Sequence, residues 1–154
     1  MKVGLLADHP HAISTLARWV YDEWGHLMPH VTLDMLIGEF RARTARHAIP
    51  ETFVALENDE IVGMASLVED DMGTRPELTP WLAAVYVLPE FRSRGIGLTL
   101  VKAAIEEAKA LGVERLYLFT PDRVRFYSRL GWKVIEHTQY RGQNVTIMSY
   151  EVKP

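Results

Sequence analysis

The chain has 154 residues, 48% of them hydrophobic, and its 17 Lys and Arg against 20 Asp and Glu give a formal charge of -3. That length and apolar content suit one domain, residues 1–154, with a sizeable core, and the lack of a basic balance disfavours a nucleic-acid partner. There is no cysteine, which excludes a disulfide framework and a cysteine nucleophile.

The opening apolar run from Met1 breaks at Asp8, too early for a secretory leader, and no later run reaches spanning length. The expectation is a cytoplasmic protein with no membrane partner. Val3 to Ala7 reads as a first strand. Asp8 is a candidate cap and Pro10 suits a first helical turn, after which Ile13, Leu16, Ala17, Val20 and Trp24 mark a helix face that ends at Gly25. Thr32 can cap a second helix with Leu33, Leu36, Ile37 and Phe40 inward, closed by Pro50. Thr52 to Leu56 and Ile61 to Val68 read as antiparallel strands around a turn at residues 57–60. The stretch from Glu69 to Pro80 contains Gly73 and Pro76 and reads as a loop, with Glu69, Asp70 and Asp71 as an exposed acidic cluster.

The stretch from Trp81 to Gly112 organises the rest. A β-rich run, Leu82 to Leu88, meets a turn at Pro89 and Glu90, followed by Arg92, Ser93, Arg94, Gly95, Ile96 and Gly97. Beyond these, Leu100, Val101, Ala104, Ile105 and Ala108 keep helical spacing up to Gly112. A strand thus feeds a glycine loop that opens a helix. The first amides of a helix lack intrahelical partners and sit at the positive end of its dipole. Gly95 and Gly97 remove the β-carbons that would block an anion's approach, and Arg92 and Arg94 add cationic donors. The pattern points to a phosphate-bearing ligand. It lacks the Lys and hydroxyl pair of a nucleotide P-loop and the third glycine of a dinucleotide fingerprint, and Glu114 lies at the wrong end of the next strand for a ribose partner.

Leu116 to Phe119 reads as a strand parallel to the central one, joined to it by the helix. Thr120, Pro121 and Asp122 read as a helix start, with Gly131 as its stop. Trp132 to Tyr140 and Val145 to Val152 read as a hairpin across residues 141–144. His26 and His30 have the spacing of a helical metal pair, but Pro29 interrupts them, so no metal site is expected.

Arg92, Gly95 and Gly97 after a strand resemble the acyl-CoA pyrophosphate loop of the GNAT superfamily of N-acetyltransferases. Phe126-Tyr127 followed by Gly131-Trp132 resembles that family's Tyr-x-x-x-Gly-aromatic segment. The resemblance covers Ile61 to the C-terminus well and the preceding residues by element order. It implies an α/β fold of α+β type, with a mixed central sheet, splayed parallel central strands and flanking helices. It implies acetyl-CoA as acyl donor, and as acceptor the primary amine of a small molecule or a peptide N-terminus. On this resemblance Val85, Tyr86 and Val87 lie along the pantetheine arm, with the Val85 amide available to the acetyl oxygen. The segment Arg92, Ser93, Arg94, Gly95, Ile96 and Gly97 holds the pyrophosphate, and Tyr127 protonates the leaving thiolate. Trp24, His26 and Trp81 are the expected acceptor wall.

Trp81 stands where several family members place a basic glutamate, so deprotonation is expected through water, through a loop group or before binding. That departure motivates the alternative of a non-catalytic acyl-CoA sensor or regulatory module on the same fold. The segment from Leu118 to Trp132 is also similar to some protein N-terminal acetyltransferases. The exposed edge of the last hairpin would suit a homodimer.

Overall fold

The computed structural model describes residues 1–153. Seven strands, β1 (Lys2–Leu5), β2 (Glu51–Glu57), β3 (Glu60–Val68), β4 (Trp81–Val87), β5 (Arg115–Thr120), β6 (Lys133–Tyr140) and β7 (Gln143–Glu151), form one sheet of order β1-β2-β3-β4-β5-β7-β6. The helices are α1 (Ile13–Trp24), α2 (Leu33–Ala42), α3 (Ile96–Ala110) and α4 (Val124–Arg129). The β4–β5 pair is parallel and every other pair antiparallel. This is the mixed sheet with flanking helices that the resemblance implies.

One face of the sheet is covered by α3, whose Ile96, Leu100 and Ala104 pack against Ala65, Leu67 and Leu82. Gly63 permits that approach, since a β-carbon there would stand 3.1 Å from the Tyr86 carbonyl oxygen and 3.2 Å from Leu100 Cδ1. The opposite face has two covers. Helices α1 and α2 set Leu16, Leu36 and Phe40 over Val54 and Met64, and the loop of residues 69–80 sets Met72 over Trp81, Ala83 and Ile147. Each fully buried Leu, Ile, Val, Phe or Met among these contributes about 1.5–3 kcal/mol.

Local chemistry moves several boundaries. Strand β1 stops at Leu5 because Leu6, wholly buried, turns into the helical layer through a 3-10 turn, Leu6–Asp8. Asp8 caps no helix and pairs instead with Arg46 at 2.5 Å. Thr32 does cap α2, its Oγ1 accepting the Met35 amide at 3.1 Å. Pro121 stays outside α4, because Thr120 Oγ1 accepts the Arg123 amide at 2.9 Å and the helix starts at Val124. The last hairpin turns on Arg141 and Gly142 alone, at φ 53° and 76°, so β7 begins at Gln143. Strand β6 is a sheet edge, with Val134 and Ile135 exposed and its register broken between Val134 and Glu136. Among the described residues no helix is long and apolar enough to cross a membrane.

Candidate active site

Strands β4 and β5 pair only at Trp81 and Tyr117, at the start of β4. From there β5 stays with β7 as far as Thr120 opposite Thr146, and β4 leaves it. The register with β3 accounts for the departure: Ser66 faces Ala83, whereas Met64 faces Tyr86, so β4 carries one extra residue. Ala84 absorbs it at φ 52°, a left-handed conformation that costs a residue with a β-carbon about 1–2 kcal/mol. Ala84 and Val85 are left without a register partner on β3 and beyond pairing with β5. A wedge opens between the two parallel strands at that point.

The loop after β4 closes one end of the wedge. The Leu88 amide bonds the Val62 carbonyl at 2.9 Å, a 3-10 turn runs over Pro89–Phe91, and Ser93 and Gly95 take φ 64° and 80°. The amides from Ser93 to Leu98 donate to no protein acceptor among the described residues; the first bond back is from the Thr99 amide to the Gly95 carbonyl at 3.0 Å. Consecutive free amides in this winding, at the positive end of α3, form an anion-receptive nest. Arg92 is committed partly to the fold, since its Nε donates to the Val87 carbonyl at 2.9 Å and its guanidinium lies 5.4 Å over the Tyr86 ring. Arg94 lies 5.1 Å over Phe91. A β-carbon on Gly97 would sit 3.9 Å from both Val87 Cγ2 and Phe126 Cζ, which marks a crevice between β4 and α4.

Next to Phe126 on α4, Tyr127 is 7% exposed and packed edge-on against Phe126 and Trp132 at 5.0 and 6.0 Å. Its carbonyl accepts the Leu130 and Trp132 amides, which fixes the helix end. Burial pushes the Tyr127 hydroxyl up to about 12, with Arg123 pulling the other way, so the phenol is protonated at neutral pH.

Trp24, His26 and Trp81 do not come together. Trp24 meets Tyr86 edge-on at 6.1 Å, beside Trp19 at 5.5 Å, near the end of β4. His26 is exposed on the next 3-10 turn, Gly25–Leu27. Trp81 is at the other end of β4 with no exposed surface, its Nε1 donating to the Leu78 carbonyl at 2.6 Å and its ring against Tyr117 and Phe119.

A polar seam between the two covers was not foreseen as a site. Arg43 at the end of α2 reaches Ser66 Oγ at 3.4 Å and Glu39 at 3.7 Å. Asp71 faces this seam and is half-buried, where an exposed acidic cluster was expected; Glu69 and Asp70 are exposed. Burial pushes the Asp71 carboxyl up to about 6, against Arg43 and Arg141 and with Glu39. The difference comes from Met72, whose 2% exposure draws the chain inward. That lone methionine in a Gly- and Pro-bearing loop was the one sequence signal.

The chain matches the family model described as Acetyltransferase (GNAT) family over residues 12–132. It is 32% identical over 91 residues to N-alpha-acetyltransferase 30 of Schizosaccharomyces pombe (strain 972 / ATCC 24843), a match spanning 56% of this chain and 60% of that relative's length. Its fold is similar to that of an aminoglycoside 6'-N-acetyltransferase complexed with coenzyme A, with TM-score 0.76 and 18% identity over 100% of this chain and 98% of the other. It is also similar to a GNAT family acetyltransferase from Elizabethkingia anophelis with acetyl-CoA bound, with TM-score 0.57 and 21% identity over 75% and 81% of the two chains.

Proposed function

The chain belongs to the Acetyltransferase (GNAT) family, and on that premise we propose that it moves an acetyl group from acetyl-CoA directly to a primary amine of a small molecule or a peptide N-terminus. The observation that carries this reading is the run of free amides from Ser93 to Leu98 beside the wedge between β4 and β5. A diphosphate matches that nest in charge and in number of acceptors.

In this reading the amides of Ser93 to Gly97 hold the pyrophosphate, and Arg94, whose guanidinium stacks on Phe91, adds charge. Arg92 braces the loop through the Val87 carbonyl and Tyr86. Val85 and Val87 flank the pantetheine arm with Tyr86 between them, and Gly97 leaves the crevice open for it. When bound, the thioester supplies an acyl group already activated for attack. The Val85 amide, on a residue that the bulge leaves without a register partner on β3, receives the developing oxyanion. Tyr127 donates its proton to the departing sulfur, a task suited to a phenol that stays protonated. Trp24 and His26 line the acceptor's approach past the α1–α2 connection, and Trp81, at the other end of β4, backs Met72 of the loop of residues 69–80 instead.

Free-thiol release from acetyl-CoA over a panel of small amines and peptides with free N-termini tests this. Amine-dependent release is expected, and the responding amines choose between the two acceptor classes. No release with any amine, while acetyl-CoA still raises the melting temperature, would contradict transfer and favour an acyl-CoA sensor.

A further inference from the structure

Resting on the transferase reading above, we propose that Asp71 receives the acceptor as an alkylammonium ion and takes the proton that frees its nitrogen for attack. Three observations converge on this side chain.

The first is position. Arg43 bonds Ser66 Oγ, and Ser66 is the register partner of Ala83, the residue before the bulge at Ala84. Residues directly opposite on antiparallel strands stand about 5 Å apart, so the seam that holds Asp71 borders the bulge. The crevice at Gly97, Val87 and Phe126 opens on the α3 side of the sheet, whereas Arg43 and Met72 lie on the opposite side. A donor from one side and an amine from the other meet at Ala84 and Val85.

The second is rigidity. Met72, next to Asp71, is buried, and the Gly73 amide donates to the Tyr140 hydroxyl at 3.3 Å. Arg75 holds Glu136 on β6, with Nε to Oε1 at 3.0 Å, and Thr79 Oγ1 donates to the Glu69 carbonyl at 2.6 Å. A loop anchored to the last hairpin at two points places the carboxylate as firmly as an element would.

The third is that the carboxylate is free. Among the described residues Asp71 accepts no hydrogen bond and forms no ion pair, because Arg43 is taken up by Glu39 and Ser66. The charged groups that face it are Glu39 and Arg43 of α2 and Arg141 of the β6–β7 turn; Glu69 and Asp70 on its own loop are exposed. A half-buried carboxylate with two guanidinium groups near but none in contact leaves room for a cation. Glu39 neutralises Arg43, and the Arg141 guanidinium lies 4.9 Å over the Tyr140 ring, so Asp71 is the carboxylate of the seam that has no ion-pair partner.

The chemistry balances. An N–H bond of the ammonium breaks and the proton goes to an Asp71 oxygen, whose folded value of about 6 suits a base at neutral pH. The freed lone pair forms the C–N bond at the thioester carbonyl, and collapse of the adduct breaks the C–S bond. The sulfur leaves as thiolate and takes the Tyr127 proton, Tyr127 is restored by the second proton on nitrogen, and Asp71 releases its proton to solvent.

The test compares wild type with Asp71→Asn, using spermidine, kanamycin and trialanine as probes. The variant is expected to keep the acetyl-CoA-induced rise in melting temperature, since the donor side is untouched. For each probe that wild type acetylates, kcat/KM should fall by about 10²-fold or more in the variant. The wild-type fall in kcat/KM on acidification through about pH 6 should vanish with the carboxyl. A second arm needs no turnover. In CoA-loaded protein carrying [13C]carboxyl aspartate, the Asp71 signal, assigned by its loss in Asp71→Asn, should move and saturate with at least one probe, its titration midpoint dropping as the ammonium favours the carboxylate. An Asp71 signal that no probe moves, or a variant that keeps the wild-type rate and acid limb, overturns the proposal. Absent thiol release from wild type sinks the transfer reading by itself, and the NMR arm still decides the amine site.

Discussion

Tyr127 is aimed by the Thr120 cap at one end of α4 and by the Trp132 amide on its own carbonyl at the other. With its hydroxyl pushed up to about 12, Tyr127→Phe should lower turnover by about 10²-fold or more, the scale of a lost general acid. Acetyl-CoA should still raise the melting temperature of that variant as in wild type; full turnover would reassign the ring to packing. Glu51 poses a different question. It has no exposed surface, its Oε2 accepts the His47 amide at 3.1 Å, and its Oε1 has no bonding partner. The nearby Glu107 carboxylate is shared with His47 Nδ1 at 3.2 Å. Burial first, then Glu107, pushes Glu51 from 4.5 up to about 8. A raised carboxyl supports the fold in its neutral form, so its contribution is full below about 4.5 and is lost as pH climbs to about 8. Melting temperature should therefore fall in wild type between about pH 4.5 and about pH 8, and Glu51→Gln should flatten that fall and melt above wild type at the alkaline end. A glutamine variant that tracks wild type at every pH would refute this. Neither side chain's state could be read in the sequence. Tyr127 was singled out by its motif, but Glu51 opens a strand with ordinary polar spelling, and only the approach of α3 seals it.

At the scale of elements, the loop from Arg92 to Gly97 makes two separable demands on its glycines. Gly95 is needed for its φ of 80° with open space around it, so Gly95→Ala should cost the unliganded protein about 1–2 kcal/mol, measurable by denaturant titration. Gly97 is needed for the crevice. A β-carbon there meets Val87 and Phe126 at an ordinary 3.9 Å, so Gly97→Leu should fold with a melting temperature near wild type yet lose the shift induced by acetyl-CoA. A retained shift would remove the donor from this crevice. The element order and the strand-loop-helix unit were legible because helix α3 keeps its apolar spacing and the turns carry Gly, Pro, Asn and Asp. The bulge was not legible: alanine at φ 52° has no sequence signature, and the strain is imposed by pairing with β3. The start of α4 was misplaced for a related reason, since Thr120 caps the turn while still the last residue of β5.

Across the whole molecule, the sheet is continuous at its base and opens where β4 leaves β5, and the two sides of that opening are built from distant segments. The proposed donor side is contiguous in sequence, from Val85 to Gly97 with Tyr127 on the following helix, and this is why it was readable. The proposed acceptor side joins the end of α2, the loop of residues 69–80 and the β6–β7 turn. Their residues carry no common spacing, so Asp71 emerges only when the three segments are folded together. The net charge of -3 offers no long-range attraction for a polyphosphate, which places the burden of donor recognition on local amides. The most direct measurement is therefore an amide-resolved NMR titration of the protein with acetyl-CoA. Saturable shifts concentrated at Val85 and from Ser93 to Leu98 are the predicted result. Unmoved amides in that segment, with shifts elsewhere or none at all, would contradict the account.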